Sequence, residues 1–305
     1  MIKLLLLFVI TMGSICPAVT AQDQFWRSKD AYLGQMPPGD TPRAFAPSLL
    51  APDSGIAMDR SAFSADGKEF YYCKAMHWFD ANGSALQSFQ YDGQRWKGPL
   101  VVFPGYFTPT LSMDGRNLYL SGPSDTAHST IWVSHRNGKT WSAPEVYLKK
   151  PYGLYDFMPT RSGIAYVGSN GRQGSLSNFQ TYDFCALRFG ATDTLVESLG
   201  TAVNTPGFDG DFYIAPDESY LIVSYKEKLD YECELGISFH QPDGSWTPPE
   251  NLGPLINDGD AHRWGEYVSP DGKYLFYTRG TSEKDCHIYW VRFDRLLKKL
   301  RQKKH

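Results

Sequence analysis

Short apolar runs of about four residues recur along the chain, and each follows a polar turn of similar sequence. The turns read Ser-Ala-Asp-Gly, Ser-Met-Asp-Gly, Ala-Pro-Asp-Glu and Ser-Pro-Asp-Gly, and their aspartates are Asp66, Asp114, Asp217 and Asp271. In such a turn proline suits a φ near −65° and glycine suits a positive φ, so the chain reverses tightly. Because β-prone residues lie on both sides, each turn predicts a hairpin of two strands.

A degenerate fifth copy of the turn, Arg161-Ser162-Gly163, precedes the apolar run Ile164–Val167. When Ser162 is aligned with the four turn aspartates, successive copies are separated by 48, 48, 55 and 54 residues. One four-stranded blade of a β-propeller needs about this length. The spacing therefore predicts an all-β fold, a single propeller of about five four-stranded blades.

A third strand is predicted after each hairpin, in the runs 85–91, 130–134, 183–189, 234–239 and 287–293. Three of these runs are followed by a turn and a segment that leads from tryptophan to proline, at Trp96–Pro99, Trp141–Pro144 and Trp246–Pro249. Proline is tolerated on an outer edge strand because its missing N–H is not needed there. These segments are therefore the predicted fourth strands, and their tryptophans are expected to pack between blades.

The last repeat ends after its third strand, and a matching fourth element occurs near the start of the chain. Phe45–Leu50 resembles Trp141–Val146, so residues 44–50 are expected to pair with residues 287–293 and close the ring. Closure would cover the edge that an open array exposes. The predicted organisation is an N-terminal extension at 22–43, a propeller at 44–294 and a basic, helix-prone tail at 295–305.

The Ser-Pro-Asp-Gly hairpins resemble the bacterial WD40-like (PD40-type) propeller repeat of exported TolB-like proteins. Tyr32–Gln35, Pro37–Gly39 and Phe45–Pro47 resemble the opening of one group of exported bacterial propellers, and Trp246–Gly253 and Ile288–Val291 resemble its later blocks. The chain departs from the pattern at single positions, namely Ser162, Glu218 and His287. The resemblance implies a propeller over nearly all of the chain after residue 21 and supplies no catalytic residues.

Composition agrees with many short strands, because 15% of the 305 residues are aromatic and the chain has 28 glycines and 20 prolines. The formal net charge of −3 is too small to indicate a nucleic-acid partner, which normally needs a basic face. Four cysteines follow residue 21, and their wide spacing favours buried thiols over a disulfide framework. A monomer is expected.

The N-terminus has the pattern of a cleaved signal peptide at residues 1–21. Lys3 provides a positive charge, Leu4–Ile15 is an apolar run too short to span a membrane, and Val19-Thr20-Ala21 supplies the small residues of a cleavage site. Cys16 raises lipidation as the alternative, but Ile15 stands where a small residue should precede the cysteine. We expect a periplasmic or secreted protein with no membrane span.

Motifs with specific chemistry are missing from the sequence. It contains no Gly-x-Ser-x-Gly elbow, phosphate-binding glycine loop, zinc-protease histidine pair or EF-hand loop. The turn aspartates are best explained by hydrogen bonds to their own turns. No catalytic residue, metal site or cofactor is therefore predicted.

Topology still indicates where a ligand would bind. The aspartate turns should lie on one rim of the propeller, and the loops that enter each innermost strand should lie on the opposite rim. Those loops carry the residues that we predict to form a ligand site, namely Arg60, Asp156, Asp211, Trp264 and Glu266.

Two functions remain open for these residues. An aromatic ring with carboxylates and an arginine can hold a sugar or the charged groups of a peptide, which favours a non-catalytic binding or scaffold module for a protein, peptide or glycan. The alternative is a glycosidase-like enzyme that uses paired carboxylates from Asp156, Asp211 and Glu266. A purely structural role is the third reading, in which Asp211 and Glu266 cap strand ends and Trp264 covers the channel.

Overall fold

The chain forms a five-bladed propeller of antiparallel sheets. The structure is a computed structural model, and it describes residues 24–303 apart from 54, 79, 81, 82, 172–175, 177, 192 and 229. The predicted signal peptide and Cys16 lie outside the described residues. The predicted all-β fold of about five four-stranded blades is confirmed.

The blades follow one another along the chain, and each runs from an inner to an outer strand. Blade one contains β2 (Ile56–Phe63), β3 (Glu69–Ala75), β4 (Ala85–Tyr91) and β5 (Trp96–Pro104). Blade two contains β6 (Phe107–Leu111), β7 (Asn117–Ser121), β8 (Ser129–Asn137) and β10 (Glu145–Lys150), with the short β9 (Thr140–Trp141) also paired to β8. Blade three contains β11 (Tyr155–Pro159), β12 (Ala165–Ser169), β13 (Asp183–Phe189) and β14 (Thr194–Ser198).

Blade four contains β15 (Phe212–Ile214), β16 (Tyr220–Tyr225), β17 (Glu234–Phe239) and β18 (Glu250–Asn251). Blade five contains β19 (His262–Val268), β20 (Tyr274–Ser282) and β21 (Asp285–Arg292), and β1 (Arg43–Ala44) completes it. The helices are a turn α1 (Pro47–Leu50) and the C-terminal α2 (Asp294–Gln302). Two 3₁₀ turns cover Tyr32–Gly34 and Phe179–Thr181. None of the helices within the described residues is long and apolar enough to cross a membrane.

The N-terminal segment closes the ring, but over fewer residues than predicted. Arg43 and Ala44 pair with Trp290 and Tyr289, and the Phe45 N–H donates to the Ile288 carbonyl at 2.7 Å. The expected pairing of residues 44–50 is wrong beyond this point, because Ala46 has a φ of +46° and α1 begins at Pro47. Proline lacks the N–H that a strand needs and suits the first turn of a helix, so the strand ends here.

Residues of the N-terminal extension belong to the core of the ring junction. Tyr32 is 2% exposed, and its hydroxyl donates to Asp271 at 2.7 Å. Phe45 is 1% exposed and its ring packs edge-on against Phe276 of blade five and Phe70 of blade one, at 5.0 and 5.3 Å between centroids. These rings therefore join the first blade to the last.

The aspartate turns form one end of the propeller, which we call the turn rim. Asp66, Asp114, Asp217 and Asp271 each accept a backbone N–H from two residues further on, as expected. Two of the three departures from the repeat meet here, because Glu218 accepts hydrogen bonds from Ser162 and, at 2.7 Å, from Thr160. Glu218 stands where other turns have glycine and keeps a φ of +59°, so these bonds offset its backbone strain.

The innermost strands carry a repeated irregularity that directs side chains into the centre. Register shifts interrupt the inner strands of blades one, two, three and five. Within the shifts one residue has positive φ, at Asp59, Thr108, Asp156 and Gly265. A bulge of this kind re-aims the neighbouring side chains. In this way the bulges place the polar residues of the loop rim, the end opposite the turn rim, around the central channel.

The cysteines form no disulfide framework. Cys73, Cys185, Cys233 and Cys286 are all free and buried, as the sequence predicted. The predicted packing between blades is seen for two of the three tryptophans, since Trp141 donates to the Tyr71 hydroxyl at 3.0 Å and Trp246 lies 6.3 Å from the Tyr166 ring. Trp96 instead donates to the Asp30 carbonyl of the N-terminal extension at 2.7 Å, so the prediction is wrong for this residue. The basic tail is helical up to Gln302.

Candidate functional site

The Arg60 side chain crosses the central channel. It starts on the inner strand of blade one and donates to Thr110 of blade two at 3.1 Å, to Asp156 of blade three at 2.7 Å and to the Phe212 carbonyl of blade four at 2.7 Å. Arg60 and Asp156 are each 1% exposed. One guanidinium therefore ties four blades together at the axis and closes the channel to large molecules.

Burial and the charge of Arg60 shift the pKa of Asp156 in opposite directions. Loss of solvent raises the pKa of its carboxyl to about 6, although the guanidinium of Arg60 favours the ionised form. Its second oxygen, Oδ1, has no hydrogen-bond partner among the described residues. Asp156 is thus the paired carboxylate of the channel, held by the one arginine at its axis.

Glu266 lies in the same channel and is completely buried. The Ser224 hydroxyl oxygen is 2.7 Å from Glu266 Oε1 and 2.6 Å from the Arg263 carbonyl oxygen. A hydroxyl has one hydrogen, which can serve only one of these acceptors. If Ser224 donates to the carbonyl, a protonated Glu266 can donate to Ser224. Burial favours that protonated form, because it raises the pKa of Glu266 to about 8.

Asp211 is the third channel carboxylate, and it lies just before β15. It is 5% exposed, and its Oδ1 has no hydrogen-bond partner among the residues that the structure describes. Burial raises its pKa well above the usual range, and the nearby charges of Asp156 and Glu266 add to the effect. The buried carboxyls of Asp156, Asp211 and Glu266 therefore lie close enough to raise one another's pKa, and Asp59 adds to the effect on Asp156 and Asp211.

Trp264 belongs to a cluster of rings on the loop rim. Its indole N–H donates to Asp59 at 2.7 Å, and its ring stacks on His262 with 4.1 Å between centroids. Trp78 of blade one lies 6.0 Å from Trp264, and Tyr231 of blade four lies 5.7 Å from His262. Trp264 is 4% exposed, whereas Tyr231 is 47% exposed. We call these four residues the rim aromatic cluster.

Arg263 holds the loop that leads into blade five. It is 1% exposed, and its guanidinium donates to backbone carbonyls of Ile256 at 3.0 Å, Cys233 at 2.8 Å and Gly259 at 3.0 Å. Because these acceptors are carbonyls of the same rim, Arg263 positions the loop and is closed to a ligand. It fixes the backbone from which His262 and Trp264 project.

The structure brings four of the five predicted residues into one channel and puts Trp264 beside it. All five are between 0% and 5% exposed, so they are far more enclosed than a loop surface. Their role as ligand contacts stays a prediction. The sequence analysis did not predict Glu227, because this residue follows β16 and belongs to no recognisable motif. Its carboxyl lies near those of Asp209 and Asp211, and burial raises the pKa of Glu227 to about 7.

Solved structures with a similar fold include several bacterial proteins. A putative TolB from Agrobacterium tumefaciens is 14% identical, with 80% of this chain and 79% of that chain covered and a TM-score of 0.46. TolB from Acinetobacter baumannii is 13% identical, with 76% and 53% covered and a TM-score of 0.44. The periplasmic gluconolactonase PpgL of Pseudomonas aeruginosa is 12% identical, with 73% and 65% covered and a TM-score of 0.41.

The chain thus spans about half of the length of the Acinetobacter protein. No protein-family model matches the sequence. No curated protein matches it either.

Proposed function

We propose that the chain is an exported, non-catalytic binding module that holds a protein, peptide or glycan on its loop rim. One observation supports this most directly: Arg60 fills the axis, and the channel carboxyls are 0–5% exposed. A ligand as large as a sugar ring would therefore contact the rim aromatic cluster above the channel. Tyr231 is the most accessible of these rings, and its φ of +66° marks a constrained position.

A binding screen of the chain from Gln22 to the C-terminus against glycan and peptide arrays tests this proposal. Tyr231→Ala should weaken binding of any glycan or peptide hit at least tenfold, because the contact of the ligand with the tyrosine ring is lost. Tyr147→Ala is the matched control, since Tyr147 is 40% exposed but lies on the outer strand of blade two. If both variants change the affinity equally, or if Tyr231→Ala leaves the affinity unchanged, the ligand binds away from the rim aromatic cluster.

Trp264→Ala and Glu266→Ala then show whether these two residues contact the ligand or only stabilise the loop rim. Lost binding with an unchanged melting temperature would indicate that these residues touch the ligand. A large fall in melting temperature with binding retained would mean that they only support the rim.

A glycosidase-like activity is the second candidate, and the difference between the pKa values of two channel carboxyls favours it. Glu266 with its raised pKa could act as an acid, while Asp156 beside Arg60 is the more readily ionised. Assays with chromogenic glycosides, with Glu266→Gln as the inactive control, test this candidate. Hydrolysis that survives in Glu266→Gln would exclude a channel mechanism.

Export rests on the sequence pattern of residues 1–21. Mass spectrometry of the native protein should find Gln22, or its cyclised form, at the N-terminus. An acylated Cys16 would show that the chain is a lipoprotein instead.

A further inference from the structure

Three side chains from separate elements converge beside the channel, at the junction of blades four and five. Asp211 precedes β15, Glu227 follows β16, and His262 begins β19. One oxygen of each carboxylate and one imidazole nitrogen all lie within 4.8 Å of one another. We propose that these residues bind a divalent transition-metal ion of the zinc class.

Asp211 provides evidence beyond the clustering itself. Asp211 is 5% exposed, and its Oδ1 has no hydrogen-bond partner in the described part of the chain. Burying a carboxylate without a partner costs free energy, and such a group needs an explanation. One oxygen of this carboxylate is among the three convergent ligand atoms, so a cation bound there would supply a partner for the carboxylate.

The protein's own cations near the cluster already have other partners. Arg60 pairs with Asp156, Lys226 with Glu234 and Lys228 with Glu232, while Arg263 donates to carbonyls and Arg279 pairs with Asp258. Among the described residues, these basic side chains form salt bridges with other acids, and none forms one with Asp211 or Glu227. A divalent ion would match the charge of these two carboxylates.

The donor set selects the class of ion. An imidazole with two carboxylates suits Zn²⁺ or a similar transition ion, whereas Ca²⁺ and Mg²⁺ prefer oxygen donors alone. Zn²⁺ lies about 2.0–2.2 Å from such ligands. Ligand atoms on one ion are then about 3–4 Å apart, so the three groups would close in by about 1 Å. Asp211 Oδ1 would break no hydrogen bond of the described structure in moving.

Calorimetric titration of the EDTA-treated chain with ZnCl₂ alone tests this site. The wild type should bind one Zn²⁺ per chain and melt several degrees higher with the ion. Asp211→Asn and Glu227→Gln should each weaken binding at least tenfold while keeping the circular dichroism of the wild type. His128→Gln is the matched control, because His128 faces Asp125 at 2.9 Å on the exposed surface and should leave Zn²⁺ binding unchanged.

Absence of Zn²⁺ binding by the wild type, or full binding by both carboxylate variants, would overturn the proposal. Tight binding of CaCl₂ in place of ZnCl₂ would overturn the choice of ion class. Should Asp211→Asn fail to fold, the half-buried Glu227 keeps the test decisive. The titration uses ZnCl₂ alone, so its outcome does not depend on whether the loop rim binds a protein, peptide or glycan.

Discussion

Arg60 shows how one side chain organises the centre of this molecule. A buried arginine needs a charged partner and several acceptors, and Arg60 finds them on three other blades. The same enclosure raises the pKa of the carboxyls around it. At Asp156, burial and the charge of Arg60 therefore act in opposite directions on the pKa of the carboxyl.

We predict that Asp156→Ala lowers the free energy of unfolding by about 3–5 kcal/mol, because it leaves Arg60 buried without a counter-charge. Replacing both partners, as in Arg60→Met with Asp156→Leu, should recover much of that loss. Urea denaturation of the single and double variants measures the coupling. The exposed pair Arg188–Glu197 is the control, and Glu197→Ala should cost less than about 1 kcal/mol.

Glu266 should make the fold less stable as the pH rises. Its pKa of about 8 in the folded chain lies above the ordinary value of 4.5, so between these values the unfolded chain ionises first. The free energy of unfolding then falls by about 1.4 kcal/mol for each pH unit over which only the unfolded carboxyl is ionised. Glu266→Gln keeps a group that can donate to Ser224 but cannot ionise, so it should flatten this fall in denaturation curves from pH 5 to pH 8. An unchanged slope would show that Glu266 ionises normally.

The elements of the propeller meet most closely at the bulges of the inner strands. Gly265 has a φ of +65°, and a Cβ at this position would lie 2.4 Å from the Asp59 carbonyl carbon and 2.5 Å from the Arg60 nitrogen. Only glycine allows blade five to approach blade one so closely. This contact sets the position of Arg60 and, through the hydrogen bond to Asp59, of Trp264.

Gly265→Ala should therefore reduce the free energy of unfolding by about 2–4 kcal/mol, from backbone strain together with the inter-blade clash. Gly244→Ala is the matched control, since Gly244 has a φ of +85° with no atom within 4 Å of its added Cβ. It should cost only about 1–2 kcal/mol. If thermal melts show similar losses of stability for the two variants, the contact between blades one and five tolerates an added Cβ at Gly265.

At the scale of the whole molecule, the ring is closed by a short strand and a set of aromatic rings. The strand β1 pairs at only two residues, so backbone pairing contributes little to closure. Phe45 instead contacts rings of blades one and five and is almost completely buried. Side-chain packing is thus the main source of the ring's stability at this junction.

Phe45→Ala should cost about 3–5 kcal/mol of unfolding free energy, as for other large side chains removed from a core. Leu49→Ala, at a neighbouring position that is 41% exposed, should change it by less than about 0.5 kcal/mol. Chemical denaturation compares the two. A chain that begins at residue 51 should not fold, and a cooperative transition from it would contradict this account.

The sequence by itself determined the number of blades, most strand positions and the turn hydrogen bonds. The predicted runs 85–91, 183–189 and 234–239 coincide with β4, β13 and β17, because turn chemistry and β-propensity act over a few residues. Closure by the N-terminal segment was also predictable, since it followed from an incomplete last repeat.

Tertiary structure alone decided the pairing of Arg60 with Asp156 and the convergence of Asp211, Glu227 and His262. It also decided that the predicted site residues are enclosed. These properties depend on how the five inner strands, four of them bulged, approach one axis, and on which side chains then lose contact with water. A one-residue bulge redirects a side chain without leaving a mark in the hydrophobic pattern, so no local signal could have revealed them.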